Sequence, residues 1–327
     1  MRICVYGAGS IGGNFATRLA AAGNEVSVVV RGAHLEAIRA NGLTLLTGDK
    51  KIVMPVRASD RPADLGPQDA VLVTMKSSGQ AALADGIGPL LRADTPVAFV
   101  QNGIPWWYGH GLGARPAAPD LSRLDPGGAL ARTIGLERTV GAVVTSSNHV
   151  MAPGVVRNIS PERNTLWVAE TDDRQSPRIL ALRQTLIAAG IASPATADIR
   201  YDIWHKLMAN LCGSALCLIL REATTVLGDP AVNPLVRRAH EEALAIAAAH
   251  GVVLDDSPER RFGPQRVYPD HRPSILQDYE LGRPMEIESI VRAPVAFGRA
   301  AGIATPTLDA IEAICVRLGA AKGLYTP

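Results

Sequence analysis

A short apolar run, Arg2–Tyr6, breaks directly into Gly7-Ala8-Gly9-Ser10-Ile11-Gly12 and then into a helical pattern over residues 11–22. A strand that ends on three glycines at this spacing and passes into a helix makes a phosphate-binding turn. The first glycine permits the tight turn, the second lets backbone approach a pyrophosphate, and the third lets helix pack on strand. The free N–H groups and positive end of the helix then face the anion. A turn at Gly23-Asn24 and a second strand over 25–30 complete the strand–helix–strand context. Gly7, Ala8, Gly9, Ser10, Ile11 and Gly12 are therefore read as a dinucleotide site rather than as a purely structural turn.

The end of that second strand selects between dinucleotides. A carboxylate there would bind ribose hydroxyls and repel a 2′-phosphate. Arg31 stands there instead, and a guanidinium meets a phosphate with two parallel charge-assisted hydrogen bonds. NADPH is expected over NADH; the competing reading is a solvated loop arginine.

The 327 residues are long enough for two cores, and 47 % hydrophobic with 20 % charged is a globular composition. A formal charge of +2 gives no reason to expect nucleic acid or an anionic membrane as partner. No continuous apolar run reaches the roughly 18–20 residues of a membrane span. No signal-peptide pattern precedes the strand at residue 2, so a cytoplasmic protein is expected. Cys4, Cys212, Cys217 and Cys315 are scattered and are read as buried thiols. His240-Glu241-Glu242 lacks a second histidine at 244, so no metal site is expected.

Buried strands are expected at 71–75 and 97–100, with a helix at about 80–91 between them. Later strands fall at 139–145, 154–159 and 165–169, the last at an edge or in a hairpin. Residues 105–125, rich in glycine, proline and aromatics, read as a long loop beside an active site. Trp106, Trp107 and Tyr108 would either pack that loop or wall a cleft. Beyond about residue 195, amphipathic helical patterns dominate: 203–220, 234–250, 274–281, 286–301 and 308–319. The expected architecture is α/β: an N-terminal Rossmann-type doubly wound sheet (1–195) followed by an all-helical C-terminal domain (196–327). Ligands of open α/β sheets bind beyond the carboxyl ends of the strands. Lys76 and Asn102 fall at such ends, which predicts a cleft between them and the helical domain. The apolar helix faces are compatible with a homodimer or with one core.

Reducing a ketone by hydride needs a donor that protonates the developing alkoxide. Lys206, Asn210 and Ser214 are four apart on one face of an apolar helix, with Trp204, Leu207 and Leu211 elsewhere on it. A polar stripe in apolar surroundings requires partners, although spacing alone equally allows a surface lysine with polar neighbours. His205 points about 100° away around the helix and is read as solvated or interdomain. His110 and His149 read as ordinary loop histidines. Ser274 opens a helix, where it could cap it or hold a carboxylate. Glu286 and Glu288, two apart, cannot share one helical face, so at most one enters a cleft.

Taken in order, these motifs resemble the ketopantoate reductase (2-dehydropantoate 2-reductase) family over nearly the whole chain. The resemblance rests on Gly7-x-Gly9-x-x-Gly12, Arg31-Gly32-x-His34-Leu35-x-Ala37-Ile38, Lys76, and Gln101-Asn102-Gly103-Ile104. It continues in Lys206-Leu207-x-x-Asn210 and in Ser274-x-Leu276-Gln277-Asp278-x-x-x-Gly282-Arg283-x-x-Glu286-Ile287. It implies NADPH-dependent reduction of 2-dehydropantoate to (R)-pantoate, a step of pantothenate biosynthesis. It further implies that Gly7–Gly12 hold the pyrophosphate and that Arg31 and Lys76 face the adenosine phosphate. Asn102 would lie between nicotinamide and substrate, and Lys206 would be the proton donor. Asn210 would bond substrate oxygens, Ser274 the substrate carboxylate, and Glu286 the ribose or substrate. Ser214 stands on the substrate side where the family often has asparagine, and Val291-Arg292 where it often has Asn-Gly. Those departures leave open a reductase of another branched 2-keto acid or hydroxyacid. A catalytically silent NADP-binding sensor is the reading from a different class.

Overall fold

Apolar strands organise the first unit, residues 1–101 and 125–199. In the computed structural model, which describes residues 1–327, the strands are β1 (Arg2–Tyr6), β2 (Glu25–Val29), β3 (Leu43–Thr47), β4 (Lys50–Met54), β5 (Arg57–Ser59), β6 (Ala70–Val73), β7 (Val97–Val100), β8 (Thr139–Thr145), β9 (Asn148–Ala152), β10 (Val155–Asn158) and β11 (Thr165–Glu170). Seven of them form one sheet in the order β11-β8-β7-β6-β1-β2-β5. All pairs are parallel except β11–β8. Ile3 of β1 sits between Val26 and Ala70 in register. Chain order reverses at β1/β6, the switch point of a doubly wound sheet. β6 and β7 are buried along their whole length, which is why they read as uninterrupted apolar runs.

The first helix, α1 (Ser10–Ala21), buries Phe15, Ala16 and Leu19 in the core of this unit. Its other side meets a second sheet, β4-β3-β10-β9, which the sequence does not announce. β3 joins β10 by parallel pairing, Thr44 opposite Val155. No local pattern specifies a partner that far along the chain. The expected helix at 80–91 is absent. Short 3₁₀ turns, Ser77–Leu83 and Gly88–Leu90, replace it, because Gly79, Gly86 and the Gly88-Pro89 pair oppose continuous α-helix. A helix at Pro177–Ala188, capped by Ser176 Oγ accepting from Ile179 N at 3.3 Å, fills a stretch with no sequence expectation.

The second unit comprises 102–124 and 200–327. The chain thus crosses between units after 101, 124 and 199, not once after 195. Its helices include Ile199–Leu220, Asn233–Ala249, Ser274–Glu280, Ala293–Ala300 and Pro306–Ala321. Ile199–Leu220 is long and apolar enough, by length and composition, to cross a membrane. Here it buries Trp204, Leu207, Met208, Leu211, Cys212 and Cys217 within the unit.

The 102–124 segment belongs with these helices because its aromatics pack there. Trp106, Trp107 and Tyr108 are buried. The Arg200 guanidinium, itself fully buried, lies 5.6 Å from the Trp107 ring and 5.2 Å from that of Tyr108. It donates to the Tyr108 carbonyl at 3.0 Å, while Trp204 Nε1 donates to the Tyr108 hydroxyl at 2.8 Å. Of the two readings of these aromatics, packing describes their environment. All four cysteines are buried free thiols, and burial pushes the Cys4 thiol up to about 12.

Candidate active site

The glycine turn shows which of its glycines the protein itself requires. A Cβ on Gly12 would overlap the Gly7 carbonyl and the Thr74 hydroxyl. That hydroxyl, just past β6, in turn donates to the same Gly7 carbonyl. Helix and strand therefore touch only because position 12 has no side chain. Gly9 differs: a Cβ there would meet nothing within 4 Å, so no internal contact demands glycine. Gly9 is the N-cap of α1, so the helix begins with no side-chain cap and no acid in its first turn. Orphan N–H groups beside an open backbone form a cradle for an anion, and a dinucleotide pyrophosphate fits it.

Arg31 is exposed just beyond β2, ahead of the helix Ala33–Asn41. Lys76 lies partly buried beyond β6, at the head of the 3₁₀ segment. Gly7–Gly12, Arg31 and Lys76 are thus all placed at carboxyl ends of parallel strands in the first unit.

The remaining candidates lie in the second unit. Lys206 sits in regular α-helix, but Ala209–Ser214, carrying Asn210 and Ser214, is a π turn. Lys206, Asn210 and Ser214 are all partly buried, whereas Leu207, Met208, Leu211 and Cys212 are fully buried. Neither the Lys206 ammonium nor the Asn210 carboxamide has a hydrogen-bond partner in the chain. Ser214 Oγ has only a long 3.5 Å contact to the Ala209 carbonyl. Desolvation lowers the Lys206 pKa from 10.5 to about 8; the Glu286 carboxylate opposes that drop without closing an ion pair.

Asn102 and Glu286, far apart in sequence, meet here: Asn102 Nδ2 donates to Glu286 Oε2 at 3.2 Å. Glu286 is buried, with 6 % of its surface exposed. Gly103, which follows Asn102, has φ +77°, and a Cβ on it would overlap the Ser289 carbonyl. Ile104 N then donates to that carbonyl at 2.8 Å. A second π turn, Glu288–Arg292, contacts the first. π turns recur at functional sites, and this pair carries a signal that apolar periodicity hides.

Glu288 faces Arg123 and Tyr325 rather than Asn102, so the two glutamates do diverge. Ser274 is exposed at the first position of its helix. Pro273 occupies the cap and no side chain closes it, so the capping role is not made. His205 is exposed and stacks on Tyr201, with ring centroids 6.0 Å apart. His240 Nε2 lies 3.1 Å from Asp256, and Glu242 accepts from the backbone N–H groups of Thr307 and Leu308 at 3.0 and 2.8 Å. The acidic residues after His240 thus include a helix cap.

The reversed strand order, the glycine turn and the separate helical unit define a dinucleotide-fold protein with an added all-α unit. Residues 3–169 match the family model described as "Ketopantoate reductase PanE/ApbA", and 198–317 match "Ketopantoate reductase PanE/ApbA C terminal". The chain belongs to the ketopantoate reductase family. It is 39 % identical to the 2-dehydropantoate 2-reductase of Mesorhizobium japonicum, with 100 % of each chain covered. The crystal structure of 2-dehydropantoate 2-reductase from Geobacter metallireducens superimposes with a TM-score of 0.83 at 27 % identity, covering 97 % of this chain and 99 % of that one. A D-mandelate dehydrogenase solved with NADH and anilino(oxo)acetate shares the fold: TM-score 0.83, 21 % identity, coverage 99 % and 100 %.

Proposed function

We propose that this protein reduces 2-dehydropantoate (ketopantoate) to (R)-pantoate with NADPH, a step of pantothenate biosynthesis in the cytoplasm. The observation that carries the reading is the stripe of Lys206, Asn210 and Ser214: polar groups on an apolar helix, with Lys206 and Asn210 lacking partners in the chain and the lysine pKa at about 8. Such groups are costly unless something outside the chain pairs with them. Membership of the ketopantoate reductase family supports a small 2-keto acid as that partner.

When bound, the nicotinamide supplies a hydride to the keto carbon. Lys206 holds the proton for the ketone oxygen. With a pKa of about 8 it is mostly protonated at neutral pH yet poised to release the proton. Asn210 and Ser214 bond substrate oxygens, and Ser274 takes the carboxylate. Asn102 orients nicotinamide against substrate, with Glu286 fixing its carboxamide and reaching the ribose or substrate. In the first unit Gly7–Gly12 bind the pyrophosphate, and Arg31 and Lys76 neutralise the adenosine phosphate. The first unit is the cofactor-binding part; the helical unit, with the 102–124 segment, is the catalytic part.

The test is NADPH oxidation with ketopantoate and a panel of branched 2-keto acids. Ketopantoate turnover, lost by ~10²–10⁴-fold in Lys206→Ala with NADPH binding intact, is the expected result. Near-normal turnover in the variant removes Lys206 from the acid role. Ser214 favours one second reading: a hydroxyl cannot span the distance of a carboxamide, so a different branched 2-keto acid would lead the panel.

A further inference from the structure

Arg123, Glu288, Arg292 and Tyr325 form a cluster that none of these roles uses. The Tyr325 hydroxyl donates to Glu288 Oε2 and accepts from Arg292 Nη1 at 2.9 Å and Arg123 Nη2 at 3.5 Å. Arg123 Nε donates to the same Glu288 oxygen at 2.9 Å, and its Nη2 to the Thr326 carbonyl at 2.8 Å. Arg292 Nη1 lies 3.5 Å from Glu288 Oε2, while its Nε reaches Glu312 at 3.3 Å. The carboxylate is thereby held between two guanidinium groups and a phenol.

Its location gives the cluster meaning. Glu288 is two residues beyond Glu286, and Arg123 lies at the far end of the 102–124 segment. The near end of that segment is tied to the same stretch by Ile104 N bonding the Ser289 carbonyl at 2.8 Å. From another side, Met285 N donates to the Leu324 carbonyl at 3.0 Å. Packing leaves no slack: a Cβ on Gly319 would come within 2.6 Å of Ile287 Cδ1 and 2.9 Å of Tyr325 Cβ. Residues 285–292 are therefore pinned by both ends of the 102–124 segment and by Leu324 and Tyr325. Between those pins lies the hydrogen bond from Asn102 to Glu286.

We propose that Glu288 and Tyr325 are positioning residues that set the Asn102–Glu286 hydrogen bond and, through it, the reactive geometry. The reductase reading gives neither a contact with substrate or cofactor, and both are bonded instead to Arg123 and Arg292. The proposal rests on the reductase reading for its catalytic consequence, but not for its effect on Asn102. Misplacing a reactive group by about 1 Å can cost ~10²-fold in rate, so a loosened pin should appear in kcat before it appears in binding.

The experiment compares wild type, Tyr325→Phe and Glu288→Gln in the full chain. Steady-state ketopantoate reduction and NADPH affinity are measured. The Asn102 side-chain amide signals, assigned by their loss in Asn102→Asp, are followed by ¹⁵N NMR without ligand. Expected are a kcat about tenfold lower in both variants, NADPH affinity unchanged within about twofold, and shifted or broadened Asn102 amide signals. The double variant should be no worse than the poorer single, because one network is broken once. Unmoved Asn102 signals overturn the proposal, as does wild-type kcat in both variants. If wild type itself fails to reduce ketopantoate, the reductase reading falls and the Asn102 signals alone decide the positioning role. If Glu288→Gln does not fold, Tyr325→Phe, which keeps the ring, carries the test.

Discussion

Replacing Lys206 by methionine should make the protein more stable while abolishing its activity. The lysine stem lies on an apolar helix, and methionine reproduces much of its volume and reach. Desolvation lowers the ammonium pKa from 10.5 to about 8, and at 1.36 kcal/mol for each tenfold this amounts to about 3 kcal/mol held against folding at neutral pH. That is an upper bound, because the side chain is partly exposed and water relaxes some of the penalty. The sign follows from proton counting. Between about pH 8 and 10.5 the unfolded chain still binds the proton that the folded chain has lost, so wild-type stability rises with pH through that window. Below it the wild type carries the full penalty. The Lys206→Met advantage should thus be largest at pH 7, about 1–3 kcal/mol, and should shrink towards zero near the upper end of the window. Urea unfolding of both proteins across that pH range reads the difference, with ketopantoate turnover measured in parallel. A variant less stable than wild type at pH 7, or an advantage that does not shrink with pH, refutes a desolvated ammonium at position 206. In the wild type, reduction should decline as pH rises above about 8, since only the protonated lysine donates.

Arg31→Asp should shift preference from NADPH towards NADH by at least ~1 kcal/mol, about fivefold, by placing a carboxylate where a 2′-phosphate is expected. An unchanged ratio of kcat/KM for the two cofactors would exclude Arg31 as the selector. Gly103→Ala should cost about 2 kcal/mol or more in urea unfolding. It combines left-handed backbone strain of about 1–2 kcal/mol with a Cβ driven into the Ser289 backbone. Turnover should fall with it while NADPH affinity holds, and a loss below about 0.5 kcal/mol would mean that the turn relaxes freely.

What the sequence determined by itself is the chemistry that depends on neighbours in the chain. The turn from Arg2–Tyr6 into Gly7–Gly12 was legible because strand, glycines and helix are consecutive and each glycine position has one geometric reason. The buried strands expected at 71–75 and 97–100, observed at Ala70–Val73 and Val97–Val100, were legible because parallel strands covered on both faces must be apolar throughout. The four-residue spacing of Lys206, Asn210 and Ser214 was visible in the sequence, but only the structure shows them partly buried and the lysine desolvated. Tertiary structure decided everything that rests on partners distant in sequence. The second sheet exists because β3 pairs with β10, and nothing in either segment encodes the other. The 102–124 segment joins the helical unit because Arg200 and its aromatic neighbours bury it there, although by sequence it continues a Rossmann strand. Asn102 meets Glu286, and Glu288 turns away to Arg123 and Tyr325, through contacts that mostly join residues far apart in the chain. Periodicity records which face of an element is apolar; only packing of the whole chain chooses what that face, and the polar groups beside it, will touch.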